Sequence, residues 1–270
     1  MTHASQKNAP LPARRRFNLA ALAALGSLAL PGCASRVSLA EDTPLRLLSG
    51  GAAKGIVERL GPVFERERRC KIEGTFGAVG LMRDDLLAGA PCDLLILSQA
   101  LIASLSSSGH AVGSTATPLG QVKTGVCLMK GQPPVDIRTS DELRALLASA
   151  SAIYFPDPKK ATAGIHFMKV LTALGLDAPA KHRAYPDGAT AMAAMAAAGD
   201  MGAVGCTQVT EIIITPGVEL IGLLPPPFEL STTYVAAVAS KALHPELARA
   251  LIARLSAPQF ADERIKAGFL

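Results

Sequence analysis

Few side chains in this sequence are spaced for bond-breaking chemistry. Ser106, Ser107 and Ser108 form a run, but no Gly-x-Ser-x-Gly surrounds them. His110, His166, His182 and His244 are scattered, with no His-x-x-x-His or Cys/His pairing, so no catalytic and no metal-ligating set is predicted. Asp84, Asp85 and Asp93 offer no acid–base pair with a separate partner. Gly50-Gly51-Ala52-Ala53-Lys54-Gly55 lacks the Gly-Lys-Ser/Thr order of a phosphate loop, and no Gly-x-Gly-x-x-Gly occurs, so no nucleotide cofactor is expected. What remains is backbone chemistry. The turns Ser49-Gly50-Gly51 and Gly77-Ala78-Val79-Gly80 each lie between an apolar strand pattern and a helical one. Two such turns bring free amides and positive helix ends to one edge of a parallel sheet, where an anion is favoured. The competing reading is that these glycines only permit close helix–strand packing.

The elements that must hold these turns follow from periodicity. Leu45 to Leu48, Lys71 to Phe76 and Leu94 to Leu97 are short strand-like runs. Between the first two, Ala53, Ile56, Val57, Leu60, Val63 and Phe64 recur at helical spacing, with Gly61-Pro62 predicting a kink. Leu81 to Ala88 and Ala100 to Leu105 are short helices. Gly125 to Met129 and Ser151 to Phe155 are strands, separated by a helix expected to start at Ser140 as N-cap. Thr162-Ala163-Gly164 opens a helix with Phe167, Met168, Leu171 and Leu174 on its buried stripe, and Asp187-Gly188-Ala189 opens an alanine-rich one. Strands follow at Met201 to Cys206, running into Thr207-Gln208, at Val218 to Leu223 and at Thr232 to Ala239, before a helix from Pro245 to Leu255. Alternating strands and helices without a fixed repeat predict an α/β fold. Two sets of such turns, near 49–80 and 161–189, suggest two lobes with a cleft between them.

The beginning of the chain has its own grammar. Arg14-Arg15-Arg16-Phe17 precedes an apolar run from Leu19 to Leu30, too short to span a bilayer and placed as an export signal. Residues 1–40 are therefore assigned to a signal peptide, leaving by a twin-arginine or general secretory route. Leu30-Pro31-Gly32-Cys33 resembles a lipobox, which makes Cys33 a candidate lipid anchor, and Ser38-Leu39-Ala40 is the competing cleavage site. The chain of 270 residues carries a net charge of +5. All five basic residues before Glu41 leave with the signal, which removes that excess and any argument for nucleic acid. The remaining cysteines, Cys70, Cys92, Cys127 and Cys206, have no CxxC spacing, and no disulfide framework is expected.

From about residue 43 onward the chain resembles the extracytoplasmic solute-binding proteins of the molybdate-binding family. The segments that carry the resemblance are Phe76 through Leu81 to Ala88-Gly89-Ala90-Pro91-Cys92-Asp93-Leu94, Gly131 with Asp136-Ile137-Arg138, Asp157-Pro158 followed by Ala163-Gly164-Ile165, and Pro216-Gly217-Val218-Glu219-Leu220. The resemblance implies a two-lobed type II periplasmic binding protein with a mainly parallel sheet in each lobe. Residues 43–120 with 232–270 would form one lobe and 121–231 the other, joined by crossover strands near 119–124 and 224–232. It implies capture of a molybdate- or tungstate-like oxyanion, by hydroxyls and amides, for the permease of an ABC importer, by a monomeric periplasmic protein. Carried over by position, the family's first serine falls at Ala52 and its second within Gly77–Gly80. The helix-start alanine falls at Ala163, the valine donor at Ala189 and the tyrosine near Gly205-Cys206. The expected ligand-binding set is Ser49, Gly51, Ala52, Val79, Gly80, Thr162, Ala163, Gly164, Ala189, Cys206 and Thr207, with Gln208 as a further polar group. Because the family's hydroxyls are mostly unmatched, a small organic carboxylate is the alternative ligand and a ligand sensor the alternative role.

Overall fold

The computed structural model describes residues 43–133 and 135–270. The export signal and Cys33 lie outside the described residues. Strand β1 (Thr43–Gly50) is followed by a 3-10 turn, Gly51–Ala53, and helix α1 (Lys54–Arg68). Pro62 sits inside α1 without ending it, and Arg69 closes the helix in the left-handed region at φ 50°. Strand β2 (Cys70–Gly77) then runs parallel to β1, with Gly50 opposite Gly77. That register puts the two glycine turns side by side at the same sheet edge. Helix α2 (Val79–Leu87), strand β3 (Leu94–Ser98) and helix α3 (Gln99–Ser107) complete this part.

Strand β4 (Thr117–Met129) is long enough to serve two sheets. The chain goes on through α4 (Ser140–Ser149), β5 (Ile153–Pro156), α5 (Thr162–Ala173), β6 (His182–Tyr185) and α6 (Gly188–Ala198). It then forms β7 (Val204–Gln208), α7 (Val209–Ile213), β8 (Val218–Leu223), β9 (Ser231–Val238), α8 (Pro245–Ser256) and α9 (Ala261–Lys266). The spatial order is β2-β1-β3-β9-β4-β7-β5-β6, with β8 also on β4. Residues 117–123 of β4 pair antiparallel with β9, whereas residues 124–128 pair with β7. One strand therefore passes from one sheet into the other at Thr124.

The apolar side chains segregate accordingly. One interior gathers Leu45, Leu47, Ile56, Phe64, Leu94–Leu97, Ala236–Val238, Leu251 and Phe269. A second gathers Val126, Leu143, Leu147, Phe155, Phe167 and Leu171, and a third Cys127, Tyr154, Met192, Met195 and Ile212. Full burial of a Leu or Phe contributes about 1.5–3 kcal/mol, so these interiors anchor the strand ends that carry the turns. Several elements depart from the sequence-based expectation: β4 begins at Thr117 in place of Gly125, and α7 and α9 were not expected. The N-cap of α4 is Thr139 in place of Ser140, because Thr139 Oγ1 accepts from the Glu142 amide while Glu142 returns a bond to the Thr139 amide. Strand β6 was not predicted; its residues are polar and half exposed, as suits an edge. Among the described residues no helix is long and apolar enough to cross a membrane.

Candidate functional site

The carboxyl ends of the strands converge on one small cavity. From the first interior come Gly51 after β1, Gly77, Ala78 and Val79 between β2 and α2, and Tyr234 on β9. From the other side come Pro156 at the end of β5, Ala161, Thr162 and Ala163 at the start of α5, and Asp187 and Gly188 at the start of α6. Gln208, the last residue of β7, and Glu211 in α7 close it. The starts of α2 and α5 thus bring free amides to one hollow, whereas at the start of α6 the Gly188 amide bonds Glu211 and the Thr190 amide bonds Asp187. Its volume is about 20 Å3, room for about one water molecule.

One of the lining groups is a buried carboxyl. Glu211 is 5% exposed. Thr207 Oγ1 donates to Glu211 Oε2 at 2.6 Å. A methyl group added at Gly51 would sit 2.3 Å from Glu211 Oε1, and one added at Gly188 would sit 2.0 Å from Oε2. A side chain at either turn would have to displace the Glu211 carboxyl, which lies against the bare backbone. Burial is the main cause that pushes the Glu211 carboxyl from an ordinary value of 4.5 up to about 7; Thr207 and the amides of Gln208 and Gly188 oppose it, and nearby Asp187 adds to it. Burial also pushes the Tyr234 phenol up. Asp187 is occupied as the cap of α6, accepting from the Thr190 amide and hydroxyl, both at 2.8 Å. Among the described residues no lysine, arginine or histidine lines the cavity.

Gln208 is 3% exposed, and its Oε1 has no hydrogen-bond partner among the described residues. Its Nε2 donates to Thr232 Oγ1 at 3.4 Å. A half-turn of the amide exchanges the two ends, so one polar end of Gln208 stays available to a ligand in either orientation. The walls are tied across the cavity by α2 and the turn before α5. The Gly80 amide donates to the Lys160 carbonyl at 3.0 Å, and Lys160 Nζ pairs with Asp84.

Of the expected binding residues, the structure brings Gly51, Val79, Thr162 and Ala163 to the cavity. The others lie outside its lining, each for a visible reason. Ser49 is fully buried and its hydroxyl donates to the Gly50 carbonyl at 3.0 Å. Ala52 packs in the first interior and Cys206 in the second. The Gly80 amide is spent on Lys160, and Gly164 is pressed against the Pro156 and Asp157 carbonyls. Ala189 follows Gly188, which is the residue of that turn that lines the cavity, and Thr207 acts through Glu211. Glu211 and Tyr234 were missed. His166, on α5, bonds the Phe228 carbonyl through Nε2 at 2.8 Å. Lys54 faces outward in an i,i+4 pair with Glu58.

Residues 45–270 match the family model described as bacterial extracellular solute-binding protein. The chain belongs to this family. An aconitate isomerase from Pseudomonas sp. is 29% identical over 245 residues, which cover 86% of this chain and 89% of that protein. Among solved structures, the periplasmic molybdate-binding protein of Azotobacter vinelandii superposes with a TM-score of 0.71 at 18% identity, covering 84% of this chain and 98% of that one. A sulfate-binding protein of Mycobacterium tuberculosis H37Rv gives 0.67 at 19% identity, covering 84% and 86%. These likenesses establish the periplasmic-binding-protein fold. The solute-binding family's matching region spans both sheets and every residue that lines the cavity.

Proposed function

We propose that this protein is an exported receptor that captures a small organic acid in this cavity, for delivery to the permease of an importer. The observation that carries the reading is Glu211, a buried carboxyl in the wall of a hollow with no cationic side chain among the described residues. A tetrahedral dianion such as molybdate presents acceptor oxygens in every direction. Some of them would face Asp187 and, in its ionised form, Glu211, and that repulsion is strong where water is scarce. An organic acid is anisotropic. Its carboxylates can take the amides at the starts of α2 and α5, while its carbon skeleton or a hydroxyl faces Glu211 and Gln208. Relationship to a protein named for aconitate supports this chemical class.

Any such acid exceeds the closed volume, so capture requires the two sides to part, with β4 and the segment before β9 bending where they pass between the sheets. The export route and an anchor at Cys33 belong to this proposal as well. The test is a thermal-shift screen of aconitate, citrate and tricarballylate against molybdate, tungstate and sulfate. A ligand that binds only the folded state raises the melting temperature by mass action. Stabilisation by the carboxylates and none by the oxyanions is expected; the reverse pattern refutes the reading.

A further inference from the structure

Receptor function alone gives no reason to bury an ionisable acid among helix starts; an amide or hydroxyl would accept a ligand at lower cost. We propose that Glu211 is a general acid–base in this site, removing a proton from a carbon of the bound unsaturated acid and returning it elsewhere on the same skeleton. The proposal rests on the organic-acid reading above and adds a reaction to it.

Three observations carry it. Glu211 is positioned as a reacting group would be. Thr207 holds Oε2 at 2.6 Å, which leaves Oε1 on the side of Gly51 and the cavity. In the same cavity, the amides at the starts of α2 and α5 are placed to hold carboxylates, the groups on which negative charge accumulates when a neighbouring C–H is ionised. Independently, Gln208 offers a buried polar end without a partner, which fixes a ligand's orientation between these two sets. The titratable groups facing Glu211 are Asp187 from α6 and Tyr234 from β9. A carboxyl lifted to about 7 is divided between its two forms near neutral pH, as a group that must both take and give a proton should be.

The step balances without a co-reactant. A Glu211 carboxylate oxygen takes the proton from a saturated carbon next to the double bond. The C–H electron pair becomes a new C=C, and the old π pair moves onward into the conjugated carboxylate. The bond that was double is now single and can rotate. Glu211, now protonated, returns the proton to one of the two allylic carbons, and the π system closes again with its geometry or position changed. Nothing is oxidised or reduced. Thr207 is a positioning residue, since it touches the carboxyl and not the substrate.

The experiment follows cis- and trans-aconitate by proton NMR in D2O with the full chain, beside calorimetric titration of the same acids. Deuterium should enter the carbon-bound positions and the two geometric forms should interconvert. Glu211→Gln should slow both by at least about a hundredfold at saturating concentrations of the acid. Thr207→Val, which keeps the carboxyl but frees it, should shift the pH profile of exchange and lower the rate less. Thermal melts establish that each variant is folded. Binding without exchange by the wild-type chain, or exchange that survives Glu211→Gln, overturns the proposal and leaves the receptor reading intact. Absence of any binding overturns both.

Discussion

Replacing Glu211 by Gln should reshape the pH dependence of stability in a way that can be calculated. The folded chain holds this carboxyl at about 7, and the unfolded chain leaves it at its ordinary 4.5. Between those values the folded state binds more protons than the unfolded one. The group's favourable contribution is therefore fully present below 4.5 and is lost as the pH rises through 7. At 1.36 kcal/mol per pH unit the full swing is about 3 kcal/mol. Glutamine has nearly the same shape and does not titrate, so the difference between wild type and variant isolates this contribution from every other group. Urea titrations followed by backbone circular dichroism suit a chain with no tryptophan. From about pH 4.5 to about pH 8, the variant should gain about 3 kcal/mol on the wild type. Curves that stay parallel to within about 0.5 kcal/mol would refute a buried, proton-holding Glu211.

Other predictions follow from neighbouring contacts. Gly188→Ala and Gly51→Ala put a methyl group into the space of the Glu211 carboxyl, so each should weaken acid binding by at least about tenfold in calorimetry. Asp93→Ala removes the acceptor for the Arg46, Leu243 and His244 amides, three bonds that tie β3 to β1 and to the start of α8. It should cost about 3–5 kcal/mol in urea unfolding, with ligand selectivity unchanged among molecules that stay folded. Lys160→Ala breaks the pair with Asp84 that ties α2 to the turn before α5 and should speed ligand dissociation in stopped-flow measurements more than it slows association.

Much of the frame was legible because the strands that build it are apolar and their turns glycine-rich. β1, β2 and β3 lie near their predicted places, and the parallel register that aligns Gly50 with Gly77 follows from that βαβ pattern. The chemistry was less legible. Glu211 lies in Val209–Ile213, a five-residue helix whose run of apolar residues has no helical period to betray it. A single acid in such a run looks like a surface charge, and only the fold shows that β7 and α7 drive it inward. Tyr234 was hidden in the same way. The family's tyrosine falls by position at Gly205-Cys206, whereas here a ring enters the cavity from β9 on the opposite wall. Ser49 misled because a serine beside a glycine turn promises a hydroxyl ligand, and that hydroxyl satisfies its own neighbour's carbonyl.

Calorimetric titration of the full chain with trans-aconitate, and separately with molybdate, tests the central claim most directly. A saturable one-to-one heat for the tricarboxylate and none for molybdate is the predicted result. A molybdate isotherm with no response to any carboxylate would contradict it.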